Sequence, residues 1–499
     1  MSIIRKATTS ALWMFADDWF SSAISLISLL VLARILGPEV YGIVGIAGVV
    51  LGVGGIFWGA TLTDSLEQRD TLEPGHVDAI YWINFVLGAV FALVMALSAP
   101  FFAALFEVKE LAYVMPVMAF GGFMTMQSEI PCALIARSLD HKKVVLVETA
   151  FDIPLLVISI ALAVMGYGVW SLIVPSLIYA PIAVVIYARL ANWRPGFAVR
   201  ARHIRELWAF NRDTVATNCL GYLDGSLPRL LLGYFFGERE VGLFGLAMNL
   251  AGQLSGTLMG GFGSLAMTVV ARLQNEIGQI RKLMDDVFEL AAFIMYPATI
   301  GALILIPLAA PLFLGQRWDG VVLPLQLALL LGLRDATGSF NIAILRGLGQ
   351  TQAPLYILAA GIAILIVLAP VFLPYASTGL VAMVTLRLFL TWPFSAWLVQ
   401  KHTGYPAVQQ FLIGWRALAA ALGMGAIVYA THSALPADLS PILKIAGLTA
   451  VGITVYTLVH LIIWPKRISA GLARARALLR GDGQADSDSL GLTAETGQS

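Results

Sequence analysis

Runs of about 20 apolar residues recur along this chain from one end to the other, separated by short polar or basic stretches. Each run is long enough to cross the hydrocarbon core of a bilayer as a helix. Only 12% of the 499 residues are charged, which is about half the share found in soluble domains. A soluble protein cannot bury so much apolar surface, so the sequence predicts an all-α polytopic membrane protein.

The apolar pattern divides into about fourteen candidate transmembrane helices. The predicted spans run roughly 11–35, 40–62, 79–104, 111–135, 145–165, 168–188, 209–234, 241–270, 286–312, 321–345, 354–373, 376–399, 408–430 and 441–464. Cytoplasmic loops carry an excess of Lys and Arg, which fixes the orientation. With the N-terminus inside, the outer turns hold only five of the 31 basic residues, namely Arg34, Lys109, Arg239, Arg317 and Lys444. Both termini are therefore predicted to be cytoplasmic.

One glycine pattern occurs twice, about two hundred residues apart. Gly37, Gly42 and Gly45 have the spacing Gly-x4-Gly-x2-Gly, which returns from Gly237 to Gly245. Upstream of each copy lies Leu-Trp-x-Phe, at 12–15 and at 207–210. A repeat at this scale predicts two similar halves. We expect each copy to form a corner at the outer face that lets two helices of its own half pack closely.

The C-terminal segment is predicted to leave the membrane core. Residues 465–480 place apolar side chains on one face and arginines on much of the rest. This pattern favours an amphipathic helix lying on the inner leaflet and attracted to anionic lipid, although a simple basic flank fits it equally well. Residues 481–499 are rich in Gly, Asp, Ser and Thr and are predicted to be disordered.

Sequence signatures of soluble enzymes are absent. No Gly-Lys pair occurs, so the chain has no Walker A loop, and no two of the six histidines have zinc-binding spacing. Cys132 and Cys219 both lie in apolar segments, where small buried thiols are the ordinary interpretation. The sequence therefore predicts a protein that is not an enzyme, with no catalytic residue, metal site or cofactor.

Ionisable side chains inside the spans are the candidate functional residues, because each costs at least about 2.5–3.5 kcal/mol at the middle of a bilayer. Such groups must face a bundle interior or a wet cavity. Four lie near the predicted midplane: Asp224, Arg334, Asp335 and Arg387. Arg229 lies farther out, and Asp17, Asp18 and Arg416 lie in the cytoplasmic third to half.

Two interpretations of these charges stay open. In the first they line a central cavity, where the four arginines bind phosphate or carboxylate and the four aspartates are candidates for coupling to protons or other ions. In the second, Asp–Arg pairs such as Asp224 with Arg229 lock helices together. Arg387 has no partner nearby in sequence, which favours the cavity. Prolines within spans are also expected to break helices and to permit rocking. These are Pro154, Pro228, Pro297 and Pro393.

An ordered set of short motifs resembles the Wzx-type lipid-linked oligosaccharide flippases of the multidrug/oligosaccharidyl-lipid/polysaccharide exporter superfamily, and within it the colanic-acid-exporter-like proteins. The motifs are Leu32-Ala33-Arg34-Ile35-Leu36-Gly37-Pro38, Ser65-Leu66-Glu67-Gln68-Arg69, Tyr81-Trp82-Ile83-Asn84, Gly166-Tyr167-Gly168-Val169-Trp170, Trp193-Arg194-Pro195, Leu314-Gly315-Gln316-Arg317-Trp318 and Leu345-Arg346-Gly347-Leu348-Gly349-Gln350. The chain departs from the family at Pro228-Arg229-Leu230, where aliphatic residues are usual.

The resemblance implies two six-helix bundles related by pseudo-twofold symmetry, plus two C-terminal helices. On that basis the chain divides into 1–191 (spans 1–6), 192–206 (a basic cytoplasmic linker), 207–400 (spans 7–12), 401–464 (spans 13–14), 465–480 and 481–499. It also implies a multi-pass protein of the bacterial inner membrane that exports undecaprenyl-pyrophosphate-linked repeat units by alternating access. Expected partners are this glycolipid, membrane lipids, and a polymerase and chain-length regulator of the same pathway, with no nucleic acid. Whether an ion drives export stays open.

Alternatives from other functional classes remain. A multidrug-type antiporter has cationic, lipophilic substrates, which an acidic cavity without arginines would suit better. A membrane glycosyltransferase or polymerase needs a sizeable outer loop, and the predicted outer turns are short. A flippase for lipid II or a teichuronic-type polymer would share the mechanism.

Overall fold

The protein is described by a computed structural model over residues 21–68, 74–138, 141–197, 201–273, 276–350, 352–436 and 438–463. All regular elements in these ranges are helical. The first helix, α1, spans Ser21–Leu36. The helices that follow are α2 (Pro38–Gln68), α3 (Pro74–Leu105), α4 (Leu111–Arg137), α5 (His141–Val164), α6 (Trp170–Leu190), α7 (Ala201–Phe236), α8 (Glu238–Arg272), α9 (Ile277–Leu314), α10 (Val322–Leu329), α11 (Leu331–Gly338), α12 (Phe340–Gly347), α13 (Ala353–Phe372), α14 (Ala376–Thr403), α15 (Ala407–Leu412), α16 (Trp415–Ala434) and α17 (Pro441–Ile463).

Each predicted span coincides with one helix or with a broken run of helices. The tenth span is divided into α10, α11 and α12, and the thirteenth into α15 and α16. Within the described ranges, eight helical segments are long and apolar enough to cross a membrane, or nine when α1 and the first part of α2, bent by 118°, count as one. The all-α multi-pass fold is confirmed, whereas fourteen spans and cytoplasmic termini stay predictions.

The two halves repeat one packing scheme. In the first half α2 packs on α4, α4 on α3 and α6, and α5 on α6. In the second half α8 packs on the α10–α12 run, that run on α9 and α14, and α13 on α14. When the spans are numbered one to six within each half, both halves have the same four contacts. Span two packs on span four, span three on span four, span four on span six, and span five on span six. The chain therefore duplicates a bundle and not merely a glycine motif.

The last two spans pack on the second half through α9. Both α16 and α17 contact α9, and they contact each other. One apolar core joins the halves, with Ile46 and Ala47 of α2 and Phe244 and Ala247 of α8 all buried in it. The interface between the halves is thus a close contact of α2 with α8.

The prediction that prolines break the spans is wrong for the four residues named. Pro154, Pro228, Pro297 and Pro393 lie inside α5, α7, α9 and α14, which continue through them. A proline in a membrane helix removes one backbone hydrogen bond, and neighbouring groups can compensate for it. The α10–α12 run is interrupted only at Leu330 and at Ser339, and both residues keep right-handed helical dihedral angles.

Some predictions concern parts of the chain outside the described residues. These are Asp17 and Asp18, the interfacial helix 465–480 and the tail 481–499. The linker 192–206 is described except at 198–200, and its last residues belong to α7, which begins at Ala201.

Candidate functional site

A buried charged contact joins Asp224 of α7 to Arg387 of α14. Arg387 Nη1 donates to Asp224 Oδ1, and the two side chains are 12% and 8% exposed for Asp224 and Arg387 respectively. Gly361 of α13 lies beside them, since a Cβ there would be 3.0 Å from Arg387 Nη1 and 3.3 Å from Asp224 Oδ1. Glycine leaves the space in which the pair forms. The pair therefore joins α7 to α14 and packs against α13.

This contact gives Arg387 a partner that local sequence did not offer. The two residues are 163 positions apart, so only the fold brings them together. Asp224 pairs with Arg387 and not with Arg229, the neighbour that local spacing suggested. The buried charges compensate each other, which is the condition under which charged groups persist inside a protein.

A second charged pair lies on α11, between the two interruptions of the tenth span. Arg334 Nη1 donates to Asp335 Oδ1 at 3.0 Å, and the side chains are 12% and 20% exposed. Ser339, exposed between α11 and α12, donates to the Asp335 backbone carbonyl at 2.6 Å. Both residues of this pair are therefore half-buried beside an accessible polar position.

A buried polar network next to these interruptions was not anticipated from sequence. Asn341 Nδ2 donates to Ser395 Oγ at 2.8 Å, and Gln410 Nε2 donates to the Thr337 carbonyl at 3.3 Å and to Asn341 Oδ1. All four residues are nearly fully buried. Uncharged amides and hydroxyls are common throughout the spans, so nothing in the sequence distinguished these. The network joins α11, α12, α14 and the short helix α15.

Of the remaining predicted site residues, Arg229 and Arg416 are described, whereas Asp17 and Asp18 lie outside the described residues. Arg229 is half-buried on α7. Arg416 is exposed at the start of α16, with its guanidinium 5.5 Å from the ring of Trp415. An Arg stacked on an exposed Trp is typical of a helix end at a membrane interface.

The two glycine corners contact each other across the halves, which corrects the expectation that each serves its own half. A Cβ on Gly42 would overlap the Glu238 backbone carbonyl, and a Cβ on Gly242 would overlap the Pro38 carbonyl. The corners themselves turn at Gly37 and Gly237, with φ of +83° and +78°, a region that favours glycine. Their reciprocal backbone contact follows the pseudo-twofold relation between the halves.

Side chains also link the corners, because those of one half donate hydrogen bonds to the carbonyls at a helix end of the other half. The last four carbonyls of a helix lack partners within it. Arg34 near the end of α1 donates to carbonyls at the end of α9, with Nη1 3.4 Å from the Phe313 oxygen. In return, Arg317 Nη1 donates to the Ile35 carbonyl at 2.6 Å and Trp318 Nε1 to the Ala33 carbonyl at 2.7 Å. We use the name corner contact for these capping bonds together with the close backbone approaches at Gly42 and Gly242.

An apolar pocket of about 350 Å³ lies next to the corner contact, where the halves meet. It is bounded by α1, α8, α9 and α10, and its lining includes Leu26, Leu254, Ile306, Phe313 and Leu325. A pocket of this composition suits a hydrocarbon chain.

Comparisons with known proteins agree with these features. The model of a family described as "Polysaccharide biosynthesis protein" matches residues 31–323. The chain is 22% identical over 480 residues to the succinoglycan biosynthesis transport protein ExoT of Rhizobium meliloti (strain 1021), covering 95% of this chain and 96% of the relative. It is 20% identical over 341 residues to the lipopolysaccharide biosynthesis protein WzxC of Escherichia coli (strain K12), covering 68% and 69%.

Two solved structures share the fold. One is a lipid II flippase, MurJ, in an inward closed conformation, with a TM-score of 0.76, 14% identity, and coverage of 91% of this chain and 99% of that one. The other is an inward-facing multidrug resistance transporter of the MATE family, with a TM-score of 0.57, 14% identity, and coverage of 81% and 96%. At this identity the similarity concerns the fold alone.

Proposed function

The chain belongs to the polysaccharide biosynthesis protein family, and from that membership we propose that it flips undecaprenyl-pyrophosphate-linked oligosaccharide repeat units from the cytoplasmic to the outer leaflet. The observation that carries this proposal is the family match, extended over nearly the whole chain by its similarity to ExoT, a polysaccharide transport protein. A transporter that performs no bond chemistry fits this assignment, and so the protein is not an enzyme.

Alternating access is supported by the corner contact. In the predicted orientation this contact lies on the outer side, so the described state is closed there. Opening would separate α1 and α2 from α8 and α9 and would expose part of the apolar core that the halves share. The apolar pocket beside the contact has the composition to hold part of a prenyl chain.

Charge placement supports the assigned roles. In this proposal Arg334, Arg387, Arg416 and Arg229 meet the anionic head of the glycolipid, since guanidinium groups bind phosphate with paired hydrogen bonds. Asp224, Asp335, Asp17 and Asp18 are the candidates for ion or proton coupling. Because Asp224 and Arg387 neutralise each other, an anion that engages Arg387 would release Asp224 to take up a cation.

The location and partners follow from this function. We place the protein in the bacterial inner membrane, where lipid-linked repeat units are made on the cytoplasmic side. A polymerase and a chain-length regulator would then receive the flipped units. Neither role requires a nucleic acid, cofactor or metal.

The test is deletion of the gene in its own host. We expect surface polysaccharide to be lost and lipid-linked repeat units to accumulate, as quantified by mass spectrometry of lipid extracts. Unchanged polymer with no accumulating glycolipid would reject the proposal. Unchanged polymer together with a change in resistance to cationic drugs would favour an antiporter.

Complementation then tests the residues. Arg334→Ala should fail to restore polymer at normal protein level, whereas Arg239→Ala, which removes an exposed arginine at a corner, should restore it. Arg387 is tested as the double variant Asp224→Ala/Arg387→Ala, because this removes the pair without leaving one buried charge unpaired. Full polymer output from the double variant would remove both residues from the mechanism.

A further inference from the structure

A pocket with a polar lining lies inside the first half, between α1 and α5. Its volume is about 340 Å³. The polar side chains that line it are Ser25, Ser28, Tyr41, Asp152 and Ser159, and most of the other lining residues are leucines. One water molecule takes up about 30 Å³ in the liquid. The pocket therefore has room for a small ion together with several water molecules.

The carboxylate in this pocket belongs to the middle of a membrane span. Asp152 is the twelfth of the 24 residues of α5, counted from His141. A carboxylate at this depth is costly, and such residues mark ion pathways in membrane proteins. Ser21 Oγ of α1 donates to Asp152 Oδ2 at 3.2 Å. The two oxygens of a carboxylate have about four acceptor positions, so Asp152 can also bind a cation while it keeps this bond.

Two serine hydroxyls of the pocket are available as further oxygen ligands. A serine in a helix commonly donates to a carbonyl of the preceding turn, as Ser128, Ser171 and Ser176 do here at 2.6, 2.5 and 2.8 Å. Neither Ser28 nor Ser159 makes such a bond with any residue that the structure describes. Ser159 is only 8% exposed. Its hydroxyl therefore lines the pocket and retains lone pairs that can coordinate a cation.

The pocket is closed toward the outer side by apolar packing. Leu32 and Leu36 of α1 are buried together with Ala163 of α5. In the predicted orientation these residues lie at the outer ends of their helices, whereas Ser21 and Asp152 lie closer to the cytoplasm. An ion in the pocket is therefore separated from the outer face in the described state.

We propose that Asp152, with the hydroxyls of Ser28 and Ser159, binds a monovalent metal cation inside the first half. Carboxylate and hydroxyl oxygens are the ligands that hard cations prefer. Sites for Ca²⁺ gather several carboxylates, whereas the described residues contain no group of three or more His, Cys, Asp or Glu side chains that could hold a metal ion. A single carboxylate matches a single positive charge. The role of this ion in coupled transport rests on the proposed function, but its binding does not.

Sodium and potassium are the two monovalent ions to be distinguished. The probes are radioactive sodium and radioactive rubidium, which stands in for potassium. Each is equilibrated with the purified full-length protein in lipid nanodiscs, in a buffer whose other cation is choline. Displacement by unlabelled sodium or potassium chloride then gives a Kd for each ion.

Two variants each remove one ligand of the site. Asp152→Asn keeps the size of the side chain and an acceptor for Ser21 but removes the charge, and Ser159→Ala removes one hydroxyl. The matched controls are Asp319→Asn, which changes an exposed aspartate in the second half, and Ser176→Ala, whose hydroxyl bonds within its own helix.

The charge and the hydroxyl should differ in their effects. Asp152→Asn should weaken binding of the preferred ion by at least about 100-fold, since it removes the charge that faces the ion. Ser159→Ala removes a neutral ligand and should weaken binding by about tenfold. Both controls should bind as tightly as wild type. Should Asp152→Asn fail to fold, Ser159→Ala decides.

Two results overturn the inference. One is that wild type binds neither ion, and the other is that Asp152→Asn and Ser159→Ala bind both ions as wild type does. Either result leaves the proposed function standing if the deletion strain accumulates lipid-linked repeat units. Conversely, ion binding that depends on Asp152, in a protein whose deletion changes no polysaccharide, would keep the site and reject the function.

Discussion

A single methyl group at Gly42 should hold the corner contact open. In the described state a Cβ at this position overlaps the backbone carbonyl of Glu238. A carbonyl within α8 cannot rotate away as a side chain can, so the two helices must separate. Gly42→Ala therefore disfavours the closed corner and leaves the open one unaffected.

The size of the effect follows from the overlap. Overpacking a tight contact costs about 1–3 kcal/mol, and a backbone obstacle places Gly42→Ala at the upper end. Since about 1.4 kcal/mol is a tenfold change, the ratio of open to closed molecules should rise about 100-fold. Alanine also stabilises a helix by about 0.5–1 kcal/mol relative to glycine. Gly48→Ala on the same helix is the matched control. It has the same gain in helix stability, but its Cβ has no atom within 4 Å and causes no overlap.

The assay is the labelling rate of a buried cysteine. Ala33 is 0% exposed, and its carbonyl accepts from Trp318 within the corner contact. Ala33→Cys, in a background with Cys132→Ala and Cys219→Ala, reports opening through its reaction with a maleimide in nanodiscs. When opening and closing are fast, the rate is proportional to the open fraction. Gly42→Ala should then accelerate labelling by at least about tenfold.

The reciprocal geometry gives an internal check. Gly242→Ala should act like Gly42→Ala, with Gly245→Ala as its matched control, because a Cβ at Gly245 meets nothing within 4 Å. The two substitutions open one interface, so their combined effect should be less than additive. Equal labelling rates in Gly42→Ala and Gly48→Ala would refute the reasoning, because the added methyl group at Gly42 would then not destabilise the closed state.

Other contacts predict measurable losses of stability or closure. Arg387→Ala and Asp224→Ala should each destabilise the protein by about 3–5 kcal/mol, and the double variant by less, in thermal unfolding of the purified protein. Burial and the hydrogen bond to Asp285 raise the pKa of Tyr405, so its stabilisation is complete below the ordinary pKa of 10.0 and is lost as the pH rises above it. The melting temperature of wild type should therefore fall faster than that of Tyr405→Phe above pH 10.0, and parallel curves would contradict this. Trp318→Phe removes one capping bond worth about 1 kcal/mol and should raise the rate of cysteine labelling about fivefold. An unchanged rate would show that this hydrogen bond does not stabilise the closed state.

The helices could be predicted from sequence because apolar length is a local property. Within the described residues, which begin at Ser21, the predicted spans coincide with helix, and this includes the interrupted span 321–345. The glycine repeat also identified the two corners correctly. The contact between the two corners was not predicted, because a repeat shows that two segments are similar and does not show that they are in contact. The approach of Gly42 to Glu238 and of Gly242 to Pro38 depends on how the halves dock.

Partners of the charged residues were predictable only when adjacent. Arg334 and Asp335 are neighbours in sequence and do pair. Arg387 seemed isolated by spacing, yet its partner is 163 residues away. Long-range geometry, and not residue type, defines these sites.

The corner contact and the charged pair differ in what opening would cost. At the corner, the bonds run from Arg34, Arg317 and Trp318 to carbonyls at helix ends, and water can replace each of them at a net cost of about 0.5–1.5 kcal/mol. Such a closure is reversible. The Asp224–Arg387 pair lies within one half, between α7 and α14, so separation of the halves leaves it intact. Rocking can therefore proceed without exposing a lone buried charge, and only a ligand that competes for Arg387 would disturb the pair. The exposed bonds of Arg34 and Arg317 therefore lie at the interface that would open, whereas the buried charged pair lies inside one half.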